Sequence, residues 1–245
     1  TEFDLQRDPP AQAIWLDRGA GQTGILAVRL HHLINDGTSQ IVLVNTLEQN
    51  YRLLTTEKQC PIAPAQDNSF GAWARGLDAV AHSVAVENEL AFWRQTCGDA
   101  PEPKLPGEPK PPETGKKDRA GTGGAGLDAA TTRRFEQRYP DSATQYAAII
   151  TAAASAWYAL SGQDDLLLEL ENHGRHAAYG LKPTTAVGWM VCHHPLRLRD
   201  LSSNADATAL ANVQTALAVM PNGGLGYGLL HHTRGLLADV PVPRV

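Results

Sequence analysis

The sequence predicts an α/β fold. Short segments of strand character alternate with longer segments of helical periodicity along the chain. The length, 245 residues, suits one α/β domain or two small lobes. A stretch rich in Pro, Gly and Lys, residues 101–126, separates the two halves as a flexible or extended connection.

Taken in order, Ala13 to Leu16 reads as a short strand, Gly19 to Gly24 as a turn and Ile25 to Leu30 as a second strand, making a hairpin. Side chains alternate along a strand. Leu26, Val28 and Leu30 therefore share a face that is expected to be buried, and His32 continues it if the strand runs on; Ala27, Arg29 and His31 take the other face. Asp36-Gly37 is a turn signal, with Thr38 or Ser39 expected to cap a helix through Leu54 that carries Leu43, Leu47, Tyr51 and Leu54 on one side. A second helical region runs from Phe70 to about Gln95, with a break expected near Gly76. After the connection, Ala143 to Ala159 is an Ala-rich helix and Asp165 to Glu171 a strand. On that strand Leu166, Leu168 and Leu170 face one way, and Leu167, Glu169 and Glu171 the other. Val187 to Leu198 reads as mostly extended, and Ala207 to Met220 as a helix stopped by Pro221. There is no internal repeat.

Composition narrows the function. Hydrophobic residues make up 42% and charged residues 19%, as in an ordinary globular enzyme. A net charge of -5 argues against a nucleic-acid binder, which usually shows a basic excess. No apolar run is long enough to span a bilayer, and the N-terminus shows no signal peptide. Three scattered cysteines, Cys60, Cys97 and Cys192, fit reduced thiols in a cytoplasmic protein better than a disulfide framework. Two G-x-G-x-x-G strings occur, one between two strands and one in the connection; the dinucleotide fingerprint needs strand, turn and helix in that order. No G-x-S-x-G nucleophile elbow is present. Three His-His pairs (31-32, 193-194 and 231-232) invite a metal reading, but neighbours on a strand point to opposite faces and no zinc spacing is matched, so no metal is expected.

Four segments remain. His31-His32-Leu33-Ile34-Asn35-Asp36-Gly37 places His32 at a strand end, where an imidazole can trade a proton near neutral pH, and gives Asp36 the task of bracing the turn. Against this stands a satisfied core histidine beside a routine turn. Glu171-Asn172-His173-Gly174-Arg175-His176 closes the apolar strand. Partial burial of Glu171 would suit acid-base work, and pairing with Arg175 is the structural alternative. Val187-Gly188-Trp189 precedes His194-Pro195-Leu196-Arg197 in one extended segment. In Pro221 to Gly228, PNGGLGYG, the glycines suggest close backbone approach and the Tyr227 hydroxyl has the reach to enter a cleft.

The order of these segments resembles the condensation superfamily of nonribosomal peptide synthetases. HHxxxDG is matched by His31, His32, Asp36 and Gly37. The EGHGRE, VGWF and PxxGxGYG strings of its epimerization branch read here as ENHGRH, VGWM and PNGGLGYG. Asn68-Ser69-Phe70 with Trp73, and Glu89 to Gln95, add minor matches. The chain departs from the pattern at Gln40, Ala147, Asn172, His176 and Met190, and the opening PIQxWF and closing FNYLG segments are absent, so the resemblance implies a partial domain.

The resemblance implies a chloramphenicol-acetyltransferase-like fold of two α/β lobes in a V with the active site between them. Residues 1–100 would be the remainder of the N-terminal lobe with HHxxxDG, and 127–245 part of the C-terminal lobe. The implied activity is epimerization at Cα of an aminoacyl or peptidyl thioester. The substrate rides on the phosphopantetheine arm of a peptidyl carrier protein domain beside adjacent synthetase modules, and no cofactor is bound directly. His32 and Glu171 would be the acid and base, supported by His31, Asp36, Gly37 and Tyr227. A peptide-bond-forming condensation domain and a catalytically silent carrier-binding module are the other readings.

Overall fold

The computed structural model describes residues 4–58, 69–104, 124–182, 184–203 and 206–243. The elements in order are β1 (Ala11–Leu16), β2 (Ile25–Leu30), α1 (Gly37–Arg52), α2 (Phe70–Ala81), α3 (Val84–Glu87), α4 (Leu90–Cys97), α5 (Ala129–Arg138), α6 (Ser142–Ser161), β3 (Leu166–Asn172), β4 (Cys192–Leu198), α7 (Asp206–Ala218) and α8 (Leu225–Gly228). The connection at 101–126 lies mostly outside the described residues, as do Cys60 and Asn68. The chain forms two compact units that interleave in sequence. One lies within Thr1–Glu89, Glu171–His193 and Asn222–Leu236; the other lies within Leu90–Leu170, His194–Pro221 and Leu237–Val245.

In the first unit β1 and β2 pair antiparallel, with Trp15 opposite Leu26 and Ala13 opposite Val28. The expected burial of the Leu26 face does not occur: Leu26 is 47% and Val28 48% exposed. A two-stranded ribbon has two faces to cover, and the described residues cover neither at these positions. Asp36 itself, not Thr38 or Ser39, caps α1, its Oδ1 accepting from Ser39 N at 2.8 Å. The aspartate is already extended, and its short carboxylate reaches the third N–H of the helix. The expected break at Gly76 is also displaced. Gly76 lies inside α2 with Leu181 packed over it. The interruptions follow Ala81, where Ser83 caps α3, and follow α3, before α4. A core of Trp73, Ala178, Ala186, Met190, Cys192 and Leu225 fills this unit.

In the second unit α6 carries Ala147, Ile150, Ala154 and Trp157 at helical spacing. They pack with Leu166 and Leu170 of β3, Leu196 and Leu198 of β4, and Val213 of α7. Asp141 caps α6 and Gly162 ends it in the left-handed region (φ 69°). Asp128 caps α5, a helix absent from the sequence-based expectations. The Arg197 side chain, nearly buried, donates to Asp165 and Asp99 and so ties β4 to the start of β3 and to the end of α4. β3 pairs with β4. The extended reading over 187–198 narrows to β4, because the polar backbone groups of Gly188 and Met190 go to side chains instead of a neighbouring strand. No described helix is long and apolar enough to cross a membrane.

Candidate functional site

The HHxxxDG, ENHGRH and VGWM segments and the turn that opens GGLGYG all lie in the first unit. β2 ends at Leu30, and a 3₁₀ turn, His32–Ile34, follows at once. His32 therefore does not extend the strand face. It is exposed, with its ring 5.4 Å from that of Trp189. His31 braces the turn: its Nδ1 accepts from Leu33 N at 3.0 Å, and its carbonyl accepts from Asn35 Nδ2 at 2.8 Å. Gln40, one of the departures, donates to Asn35 Oδ1.

Behind this turn lies a buried ion pair. Asp36 and Arg175 are 3% and 4% exposed, and the guanidinium meets the carboxylate with two bonds of 2.8 Å. The other donors of Arg175 go to His173 O, Ser39 Oγ, Gly188 O and Ala186 O. Asp36 also accepts from Ser39 N and Met190 N, and Ser39 Oγ bridges both backbone groups of Gly188. A buried charge is tolerated when paired and hydrogen-bonded on all sides, as here. Burial pushes the Asp36 carboxyl up, but the guanidinium and the N–H groups of Met190 and Ser39 outweigh it and lower its pKa to about 2.

The structural alternative for Glu171 needs correction, since Arg175 pairs with Asp36 and not with Glu171. The partial burial expected of Glu171 is also absent. Its side chain is 65% exposed, with His193 Nε2 at 3.8 Å across the β3–β4 pair. Gly174, next to the pair, has φ 61°, and a Cβ there would sit 1.8 Å from Met190 O. Only glycine meets both conditions.

In the 221–228 segment close approach alone requires Gly226. A Cβ on Gly226 would lie 2.0 Å from Glu89 Oε2. Glu89, buried, accepts from the Tyr179 hydroxyl and from Asn222 Nδ2. Burial and the adjacent Glu89 push the Tyr179 hydroxyl up, so it stays a donor. Tyr227 is buried and stacked on His231 at 5.3 Å, where the sequence suggested a hydroxyl reaching into a cleft. Burial holds the Cys192 thiol up at about 11. Among the described residues no three His, Cys, Asp or Glu side chains converge as a metal site would require.

The structure thus joins Asp36 to Arg175 and Met190, joins Arg175 in turn to Gly188, sets His32 against Trp189 and sets Glu171 beside His193. The family model of the condensation domain matches residues 1–239. The chain belongs to the condensation-domain family. A chondramide synthase of Chondromyces crocatus is 31% identical over 99% of this chain and 6% of its own length. A linear gramicidin synthase of Brevibacillus parabrevis is 28% identical over 94% and 4%. Among solved structures, the epimerization domain from the third module of tyrocidine synthetase B superposes with a TM-score of 0.68 at 22% identity, covering 85% of this chain and 47% of that one. The first condensation domain of the calcium-dependent antibiotic synthetase, with a substrate analogue, gives 0.66 at 23%, covering 100% and 52%. The chain therefore has the condensation-domain fold, of the α/β chloramphenicol-acetyltransferase-like class. It spans about half the length of these solved chains and a small fraction of the curated relatives. An epimerization domain and a condensation domain are both among its structural neighbours.

Sequence reasoning missed Arg175 as the partner of Asp36, took Ser39 only as a candidate helix cap, and gave Glu89, Tyr179 and Asn222 no individual role. Their signal was weak: each is a polar residue in a region that a linear reading leaves as loop or helix surface.

Proposed function

We propose that this chain epimerizes, between L and D at Cα, an aminoacyl or peptidyl thioester held on the phosphopantetheine arm of a peptidyl carrier protein. The setting would be nonribosomal peptide synthesis, with adjacent synthetase modules as further partners. One observation carries the reading: Arg175 bonds both Asp36, four residues after His32, and the carbonyl of His173, two residues after Glu171. A single buried guanidinium thus ties together the backbones that present two exposed proton-transfer groups. The ENHGRH and PNGGLGYG strings favour the epimerization branch over the condensation branch.

The chemistry follows from the substrate. A thioester acidifies its Cα proton, and the enolate left behind needs hydrogen-bond stabilisation. Inversion requires one group to take the proton and another to return one to the opposite face. His32 and Glu171 fill these roles in this reading, and which acts as base depends on the enantiomer that enters. Asp36, Gly37 and His31 hold the turn, and Tyr227 supports the 225–228 segment from its buried position. The mechanism requires no cofactor beyond the arm carried by the partner.

A second reading, peptide-bond formation, is favoured by the match of a condensation domain to the whole of this chain. There His32 would assist the attacking amine and Glu171 would matter little. The test is deuterium uptake from D₂O into a carrier-bound thioester by the full-length protein, with Glu171→Gln as the key variant. Epimerization predicts uptake that falls about 10² to 10⁴-fold in Glu171→Gln with carrier binding intact, the scale of general acid-base catalysis. Peptide-bond formation without uptake moves the assignment to condensation. Neither activity, with carrier binding intact, makes the domain a silent binding module.

A further inference from the structure

The strand end that carries Glu171 has a second attachment, independent of Arg175. Asn172 and His176 flank Gly174. Asn172 Nδ2 donates to Gly223 O, and His176 Nε2 lies 2.7 Å from Asn222 O. A carbonyl only accepts, so His176 Nε2 carries the proton. Two side chains of one segment thus grip two consecutive carbonyls of one turn. The amide of Asn172 is committed at its other end as well, since its Oδ1 accepts from Gly174 N at 2.8 Å and from Cys192 Sγ at 2.9 Å.

The gripped turn is itself anchored. Asn222 and Gly223 are both left-handed, with φ 45° and 59°. The Asn222 side chain donates to Glu89 Oε1 at 2.7 Å, and the buried Glu89 also accepts from Tyr179. The His176 ring sits over Gly223, where a Cβ would come within 2.5 Å of Nε2. Asn172 and His176 are two of the five positions at which the chain departs from the motifs it resembles. Unrelated drift gives no reason for two departures to meet the same turn through adjacent carbonyls.

We propose that Asn172 and His176 are positioning residues that latch the end of β3 to the 222–226 turn and so hold the Glu171 carboxylate in place for proton transfer. The role assigned to Glu171 rests on the epimerization reading above; the latch itself rests on the hydrogen bonds. Neither residue touches the reacting atoms.

The test uses isosteric changes in the full-length protein. Asn172→Asp keeps the acceptor for Gly174 N and removes the donor to Gly223 O. His176→Phe keeps a ring and removes its donor, and His176→Gln restores a donor. Amide hydrogen exchange across 171–176 and 222–226 should quicken about fivefold in Asn172→Asp and in His176→Phe, the worth of one net hydrogen bond. It should return close to the parent rate in His176→Gln. In Cα deuterium uptake the same two variants should lose kcat at unchanged KM for the carrier-bound thioester, with kcat recovering in His176→Gln. Unchanged exchange, or exchange raised equally across the whole unit, overturns the latch. Local loosening with unchanged kcat in an active protein overturns the positioning role. If the parent shows no uptake, the epimerization reading fails, and the latch still stands or falls on the pattern of amide exchange.

Discussion

Removing Asp36 should cost the fold more than the chemistry, and the structure sets the size of the loss. The carboxylate accepts two bonds from Arg175 and one each from Ser39 N and Met190 N, all between 2.8 and 3.0 Å. Asp36→Ala leaves a 4% exposed guanidinium without its counter-charge and the first turn of α1 without its cap. Breaking one side of a buried pair typically costs about 3–5 kcal/mol, a range that absorbs the roughly 1 kcal/mol of a lost cap. For a chain of this size the melting temperature moves about 2–4 °C per kcal/mol, so a drop on the order of 10 °C is expected. Urea denaturation followed by circular dichroism, alongside a thermal melt, measures both quantities. Adding Arg175→Met to Asp36→Ala removes the stranded charge. The double variant should therefore lose less than the sum of the two single changes. An Asp36→Ala protein that melts within about 2 °C of the parent would refute the account of this cluster as the brace of the turn.

The same pair sets a pH dependence. The Asp36 pKa in the fold, about 2, lies below its ordinary value of 3.8, so its stabilisation is complete above pH 4 and is lost as pH falls through 2. The gap is worth about 2 kcal/mol, and an acid titration of Asp36→Asn should lack that component. His32→Ala should fold like the parent, because His32 is exposed and its loss breaks no backbone bond; a melt comparable to that of Asp36→Ala would reverse the two roles. Gly174→Ala should unfold or rearrange the Arg175 segment, since the new Cβ would overlap Met190 O; soluble yield and the near-ultraviolet spectrum report this, and a native-like variant would contradict it. Cys192, with its thiol held up at about 11, should resist alkylation at pH 7.5 until denaturant is added.

Local chemistry was legible without the fold. The β1–β2 hairpin, the apolar periodicity of α6, the strand DLLLELE and the stop at Pro221 follow from side-chain alternation, helical spacing and proline's missing N–H, which act over a few residues. The order of HHxxxDG, NHGR and GxGYG likewise pointed to the condensation superfamily from the string alone, and the family match over residues 1–239 agrees.

Partner choice was not legible, because it is decided between residues far apart in the chain. From the sequence, Glu171 was the near acid for Arg175. In the fold the guanidinium takes Asp36, 139 positions away, because strand β3 and the Gly174 turn carry it to the capped end of α1. The 187–191 segment looked like strand, but its polar backbone groups are claimed by Ser39 and Asp36. The apolar face of β2 looked buried because alternation reports which residues share a face, not whether anything covers it. Asn172 and His176 appeared as bare departures until the turn at 222–223 supplied the two carbonyls that they hold. Chain order was enough for the main elements and for the family. Which polar groups meet was settled only by folding, because a buried hydrogen bond depends on separation in space and chain order records only separation along the backbone.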